Sequence, residues 1–322
     1  MHQRLSALVC LLALACASAA AQAPPAYPTR AITIVVPYSP GTGIDIMGRV
    51  IAQHLSSRWA SGAMVDNKPG ASANIGTELV ANAAPDGHTL LMTATTFATN
   101  AALNKNLRYD PVRSFVPVSL AATGTMAFYT SLNTPARTVA EFVALAKTKP
   151  AVLNYASNGN GTPQHLAMEL FKLETGIDLT HVPYKSAGYI ADLIGGRIDA
   201  VIMPIHTAAP HVQGGKIRML AVMSAERSPV FPAVPTFREA GFPNLQVDVW
   251  YALLAPAGTP PDIVARLNAE VNSLLGQAET RDFLGKQGLV PAGGPPARLA
   301  ELIRLELDRW PRVVASAGIK PD

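Results

Sequence analysis

VVPYSPGTGIDIMGR, residues Val35–Arg49, carries the first strand-to-helix junction of the chain. An apolar run from Ile32 to Pro37 stops in a glycine turn, and a helix-like spacing of apolar residues begins at once. Two nucleotide-binding motifs share this outline, and neither is present. The dinucleotide fingerprint that Gly41 and Gly43 would begin needs a third glycine at position 46, which is Ile46; Gly48 comes two residues late. No Gly-Lys-Ser/Thr follows, so the turn is not a P-loop, and no cofactor is expected. The physics of the turn survives without one. A helix N-terminus leaves its first N–H groups unpaired and carries partial positive charge, and glycine lets a ligand approach that backbone. Ser39 and Thr42 add hydroxyls, so the junction suits an anion, a carboxylate as well as a phosphate. Asp45 is expected to orient the loop or a bridging water rather than to meet the ligand.

The same unit recurs. Strand-like runs at Ala31–Pro37, Met64–Asn67, Thr89–Thr93, Asn154–Ala156, Ala200–Pro204, Met219–Val222 and Val247–Leu254 alternate with helical patterns, the clearest at Asp262–Leu275. Helix starts are marked by TVAE at Thr138–Glu141, TFRE at Thr236–Glu239, and Thr162 followed by Pro163. The alternation predicts an α/β protein with mostly parallel sheets. Three further glycine turns follow strand-like runs: NKPGASANIGTELV (Asn67–Val80), YASNGNGTPQHLAMELF (Tyr155–Phe171) and YKSAGYIADLIGG (Tyr184–Gly196). Each alone reads as an ordinary connection. Together they matter, because loops at the carboxyl ends of an open α/β sheet gather in one crevice. The long C-terminal amphipathic pattern from Pro295 to Ala317 is expected to pack back across the first domain. That makes the domains discontinuous, residues 22–122 with 246–322 and residues 123–245, with crossings near Val118–Thr125 and Leu245–Trp250 and the ligand cleft between.

The first 21 residues place Arg4 ahead of an apolar core, Leu5–Ala15, and a small-residue cleavage site, the architecture of a secretory signal peptide. Cleavage is expected after Ala21, with Ala23 the alternative. Lipidation at Cys16 is disfavoured by a poor Ala13-Leu14-Ala15 lipobox. Both cysteines, Cys10 and Cys16, fall within this leader, which removes disulfide, thiolate and cysteine–metal chemistry from the exported chain. Without Arg4 the chain has 25 basic and 22 acidic residues and no basic run longer than two, so nucleic acid is not an expected partner.

Catalytic constellations are missing. There is no G-x-S-x-G elbow and no H-E-x-x-H pair. His206 and His211 stand five apart around Pro210, the wrong spacing for paired helical ligands, and no metal site is expected. Trp250 and Tyr251 either fill the core or wall the cleft.

At this point the residues resemble a family: the extracytoplasmic substrate-binding proteins of the tripartite tricarboxylate transporters, the Bug receptors. The matching segments run through the chain and include YPTRAITIVVPYSPGTGIDI, VDNKPGASANIGTELVANAAPDGHTLL, YDPVRSFVPVSL, LNYASNGNGTPQHLAMELFK and WYALLAPAGTPPDIVARLN. The resemblance implies a type II-like periplasmic-binding-protein fold, two α/β domains closing on a ligand as a Venus flytrap. It implies a monomeric, non-enzymatic receptor that delivers a small organic carboxylate to membrane permease subunits. A sensor for a signalling partner or a secreted α/β enzyme are the alternatives. Carried onto this chain, the first loop supplies Tyr38, Ser39, Gly41, Thr42, Gly43 and Asp45, and the second Ala71, Ser72 and Asn74. The third loop supplies Ser157, Asn158, Gly161 and Thr162 from the other domain, with Met203, His206 and Trp250 as further contacts. The departures concern Thr42, Ile44, Ser72 and Ala73 in the first two loops, and Met203-Pro204 where the family commonly has Asp-Asn. That last loss of acidity argues against an amino-acid ligand.

Overall fold

The structure, a computed structural model, describes residues 27–319 apart from 105, 149 and 185–187; the expected leader, residues 1–21, lies outside the described residues. The first elements are β1 (Ile32–Val36), α1 (Gly43–Arg58), β2 (Ala63–Asn67), a 3-10 turn at Ala71–Ala73, α2 (Asn74–Ala81), β3 (Thr89–Ala94) and α3 (Thr96–Leu103). Then come β4 (Phe115–Ser131), α4 (Val139–Thr148), β5 (Asn154–Ser157), α5 (Pro163–Thr175), β6 (Thr180–Pro183), α6 (Tyr189–Ile194), β7 (Ala200–Pro204), α7 (Ile205–Gln213) and β8 (Ile217–Val222). The chain ends with β9 (Asp248–Pro256), α8 (Pro261–Gly276), α9 (Ala278–Lys286), β10 (Leu289–Pro291) and α10 (Pro296–Ala317).

β4 is the spine of a ten-stranded sheet ordered β2-β1-β3-β9-β4-β7-β5-β6, with β10 and β8 also on β4. Its first residues pair with β9 and β10, its last with β7 and β8. The flanking groups, β2-β1-β3 and β7-β5-β6, are each parallel inside, as strand–helix–strand units require. β9 and β4 run antiparallel to their neighbours where the two groups meet. In this meeting zone Asp248 pairs with Thr125, so the two segments expected to cross between domains lie side by side. The Val118–Thr125 stretch is the middle of a continuous 17-residue strand.

Alternation along β4 builds two cores. Phe128 packs on Phe142, Phe171 and Phe237, while its neighbours Ala127 and Tyr129 face Tyr189, Val201 and Met203 on the opposite side. The terminal helix α10 packs against α3 and β4 and also reaches α5, so it spans both halves of the sheet. Its Trp310 is fully buried and donates its indole N–H to Glu306.

Candidate functional site

β1 ends at Val36, and the chain turns through Gly41, whose φ of +82° is left-handed, before α1 starts. Gly41 N–H donates to Asp45 Oδ2 at 2.8 Å; the same oxygen accepts from Arg49 Nε at 2.9 Å, and Oδ1 accepts from Asn67 Nδ2 at 2.9 Å. Burial alone would raise the Asp45 pKa, but these hydrogen bonds outweigh it and hold the carboxyl below its ordinary range. Asp45 therefore stays ionised and fixes the loop from behind. Asp45→Asn turns one acceptor oxygen into an amine facing a donor, and should lower stability by about 1–2 kcal/mol in a urea titration. An unchanged midpoint would show that the carboxylate does not hold this turn.

The second loop is strained. Ala71, Ser72 and Ala73 follow Gly70 with φ of 46°, 53° and 76°, a run of left-handed residues that each cost about 1–2 kcal/mol without a glycine. Side chains from α3 and beyond hold it. Asn100 Nδ2 donates to the Ser72 carbonyl and to Asn74 Oδ1, and Tyr109 Oη donates to the same Asn74 oxygen at 2.8 Å. Such strain tends to gather at ligand clamps.

The third loop, Ser157 to Thr162, is tied down by a buried aromatic stack. His181 Nε2 lies 2.7 Å from Ser157 Oγ, and its ring stacks on His165 and Tyr155 at 3.9 and 4.8 Å. Gly161 N–H donates to His165 Nδ1 at 3.0 Å. Burial, reinforced by His165, drives the His181 pKa down to about 4, so the ring is neutral. Thr162 then caps α5, accepting from His165 N–H.

A cavity of about 420 Å³ lies between these loops. Sixteen described residues line it, and none is Asp, Glu, Lys, Arg or His. Burial pushes the phenols of Tyr38 and Tyr251 up to about 12, so they too are uncharged. Four helices begin at its wall: α1 after Thr42, α3 at Thr96, α5 after Thr162 and α7 after Pro204. Of these only α5 has a side-chain cap; the first N–H groups of α1, α3 and α7 are left without one. Several partial positive ends meeting in a space with no charged side chain favour one kind of guest, a small anion.

Tyr38, Thr42, Gly43, Ser72, Asn158 and Thr162, all expected from the sequence, line this cavity. Ser39, Gly41, Asp45, Ala71, Asn74, Ser157 and Gly161 are not among its lining residues, and several spend their polar atoms holding the loops: the Ser39 carbonyl accepts from Thr42 Oγ1. His206 is also behind the wall, its Nε2 3.9 Å from where a Cβ on Gly43 would sit, and burial lowers its pKa. Met203 and Trp250 do not reach the cavity. Met203 is fully buried on the face of β7 that meets Tyr189, and Trp250 alternates with Val249 and Tyr251, which do line it. Sequence reasoning missed Thr95 and Thr96 at the start of α3, Met126 inside β4, and Gln164 and Val249; Tyr251, left open between core and cleft, and Pro204, noted as a departure, both line the cavity. The Thr95-Thr96 pair after a strand-like run was the one available signal. The Tyr184–Gly196 turn is described only in part.

Two α/β halves joined by crossing strands, with a cavity walled by helix starts, define a two-domain periplasmic-binding-protein fold. Solved structures agree. The Rhodopseudomonas palustris protein Rpa4515, solved with adipate, is 35% identical, covers 92% of this chain and all of its own, and superposes with a TM-score of 0.82. MatC from the same organism, solved with bound malate, is 33% identical with a TM-score of 0.77 and covers 89% of this chain and all of its own. Protein BugT of Bordetella pertussis is 34% identical over 91% of each chain. Residues 47–319 match the model of the tripartite tricarboxylate transporter family receptor, and the chain belongs to that family of periplasmic solute receptors.

Proposed function

We propose that this chain is exported to the periplasm, closes two lobes on a small organic carboxylate as a monomer, and hands it to membrane permease subunits. The lobes are residues 22–122 with 246–322, and 123–245. Tyr38, Thr42, Gly43 and Ser72 contact the ligand from the first lobe, Asn158 and Thr162 from the second; the residues behind them keep the loops in shape. One observation carries this reading: three uncapped helix N-termini open onto a cavity with no charged side chain among its sixteen described lining residues. The adipate and malate held by the two structural relatives support it. A ligand that bridges both lobes stabilises the closed arrangement, and a permease can read that difference.

The test compares acids with their neutral isosteres. A carboxylate present at 100 times its dissociation constant adds about 2.7 kcal/mol, a rise of several degrees in melting temperature. Benzoate or hexanoate should give such a rise and benzamide or hexanamide none. Equal shifts from acid and amide would overturn the anion reading, and turnover of a bound acid would make the chain an enzyme.

A further inference from the structure

Most polar side chains on the cavity wall are already engaged. Thr42 and Thr162 give their hydroxyl protons to backbone carbonyls, and Tyr38 and Thr96 bond to each other. Thr95 Oγ1 accepts from the Trp250 N–H at 3.0 Å, and Gln164 interacts with the Tyr189 phenol. Ser72 and Asn158 have open side chains, but both residues are exposed and solvent can serve them. Tyr251 differs. It is only 8% exposed, yet its Oη has no hydrogen-bond partner among the described residues. A hydroxyl largely removed from water is costly when nothing bonds it, and this one lines the cavity.

The seat of that phenol is rigid. Tyr251 stands in β9 between two alanines, Ala94 of β3 and Ala122 of β4, and the Thr95 bond fixes the backbone of its neighbour. Its Oη lies 3.3 Å from where a Cβ on Gly43 would stand. Gly43 is the first residue of α1, whose opening N–H groups have no side-chain cap. Glycine there leaves the phenol its place beside open amides. Burial first, and Tyr38 second, push the phenol pKa up to about 12, so the proton is present at neutral pH. Resting on the carboxylate reading of the same cavity, we propose that Tyr251 is a specificity-determining residue, its phenol donating a hydrogen bond to the carboxylate held at the start of α1. A neutral donor on an ionised acceptor makes the stronger class of hydrogen bond, and it needs no arginine or lysine. In the free protein this hydroxyl bonds no described residue, so deleting it takes a bond from the ligand and none from the fold.

Tyr251→Phe keeps the ring and removes the hydroxyl. Titration calorimetry with adipate, hexanoate and benzoate at pH 7.5, beside the melting temperature of the ligand-free protein, decides the matter. For each acid that binds the parent, the variant is expected to bind about ten- to a hundredfold more weakly. Its ligand-free melting temperature is expected to stay level or rise, because an unpartnered buried hydroxyl has been replaced by apolar surface. Undiminished affinity overturns the proposal and leaves the carboxylate reading standing. Weaker binding joined to a lower ligand-free melting temperature overturns it as well, since the hydroxyl then serves the fold. No binding of any of the three acids to the parent removes both.

Discussion

Gly161→Ala is expected to leave the chain folded and to weaken ligand binding by about ten- to a hundredfold. Gly161 has φ +70°, and a Cβ built there would lie 2.1 Å from Leu103 Cδ1. Gly161 belongs to the loop that opens α5 and Leu103 to the last turn of α3, so the contact joins the two halves across the cavity. The two costs act on different equilibria. The left-handed backbone strain, about 1–2 kcal/mol, is present whether the halves are together or apart, and lowers the melting temperature of the free protein. Overlap with Leu103 arises only when they are together, which subtracts it from ligand affinity. Leu103→Ala in the same chain removes the obstructing methyls, so the double variant should recover most of the lost affinity but not the lost stability. Calorimetry with the acid that gives the largest thermal shift measures both. Unchanged affinity in Gly161→Ala, or no recovery in the double variant, would sever that contact from closure.

β1, β3 and β7 were legible because they repeat a local pattern, whereas the edge strand β6 was not expected. Ile32–Val36, Thr89–Ala94 and Ala200–Pro204 are β-branched or apolar runs cut by turns, and the expected bounds fall within a residue or so of the observed ones. β4 was not legible as a strand. SLAATGTMA is rich in small residues with weak strand preference, and it is extended because partners on both sides take up its hydrogen bonds. No local signal encodes a neighbour more than a hundred residues away. TFRE shows the opposite failure. Thr236 and Glu239 make the reciprocal hydrogen bonds of a capping box, at 3.1 and 2.8 Å, yet the chain closes only a turn before Gly241 and Pro243 end it.

At the site, the loops were legible and the direction of each side chain was not. A Gly-Ser-Thr-Asn loop after a strand announces a place where ligands gather, but whether Ser72 faces inward and Asn74 backward depends on Asn100 and Tyr109 arriving from elsewhere. The same holds for Trp250 and Tyr251. One of two adjacent strand residues must face the cavity, and only the register against β4 says which.

That register puts Asp248 on the Trp250 side, in a separate cavity of about 570 Å³ bounded by β9, β4 and α10, where the two halves of the sheet join. Its Oδ1 is buried without a hydrogen-bond partner among the described residues. Burial and the neighbouring Glu306 raise its pKa to about 7, against a smaller lowering by Arg309. In an unfolded chain the same group titrates near 3.9. Its contribution to stability is therefore complete below about pH 4 and is lost as pH rises through 7, because the unfolded chain releases the proton first. Between pH 5 and pH 8 the loss is about 2–3 kcal/mol. His181 and His206 act the other way over the acid part of this range, since burial keeps both neutral when folded and their stabilisation is lost on acidification. The unmodified protein thus shows only the sum, and the variant separates the parts. Asp248→Asn keeps the shape and removes the proton, so its stability relative to the parent should climb by about 2–3 kcal/mol from pH 5 to pH 8, read from urea midpoints at each pH. The gain at pH 8 has a simple origin: the parent must hide a bare carboxylate beside Glu306, whereas the amide hides no charge. Parallel stability curves for parent and variant would mean that Asp248 is hydrated and ordinary, with no strain of charge stored where the strands cross.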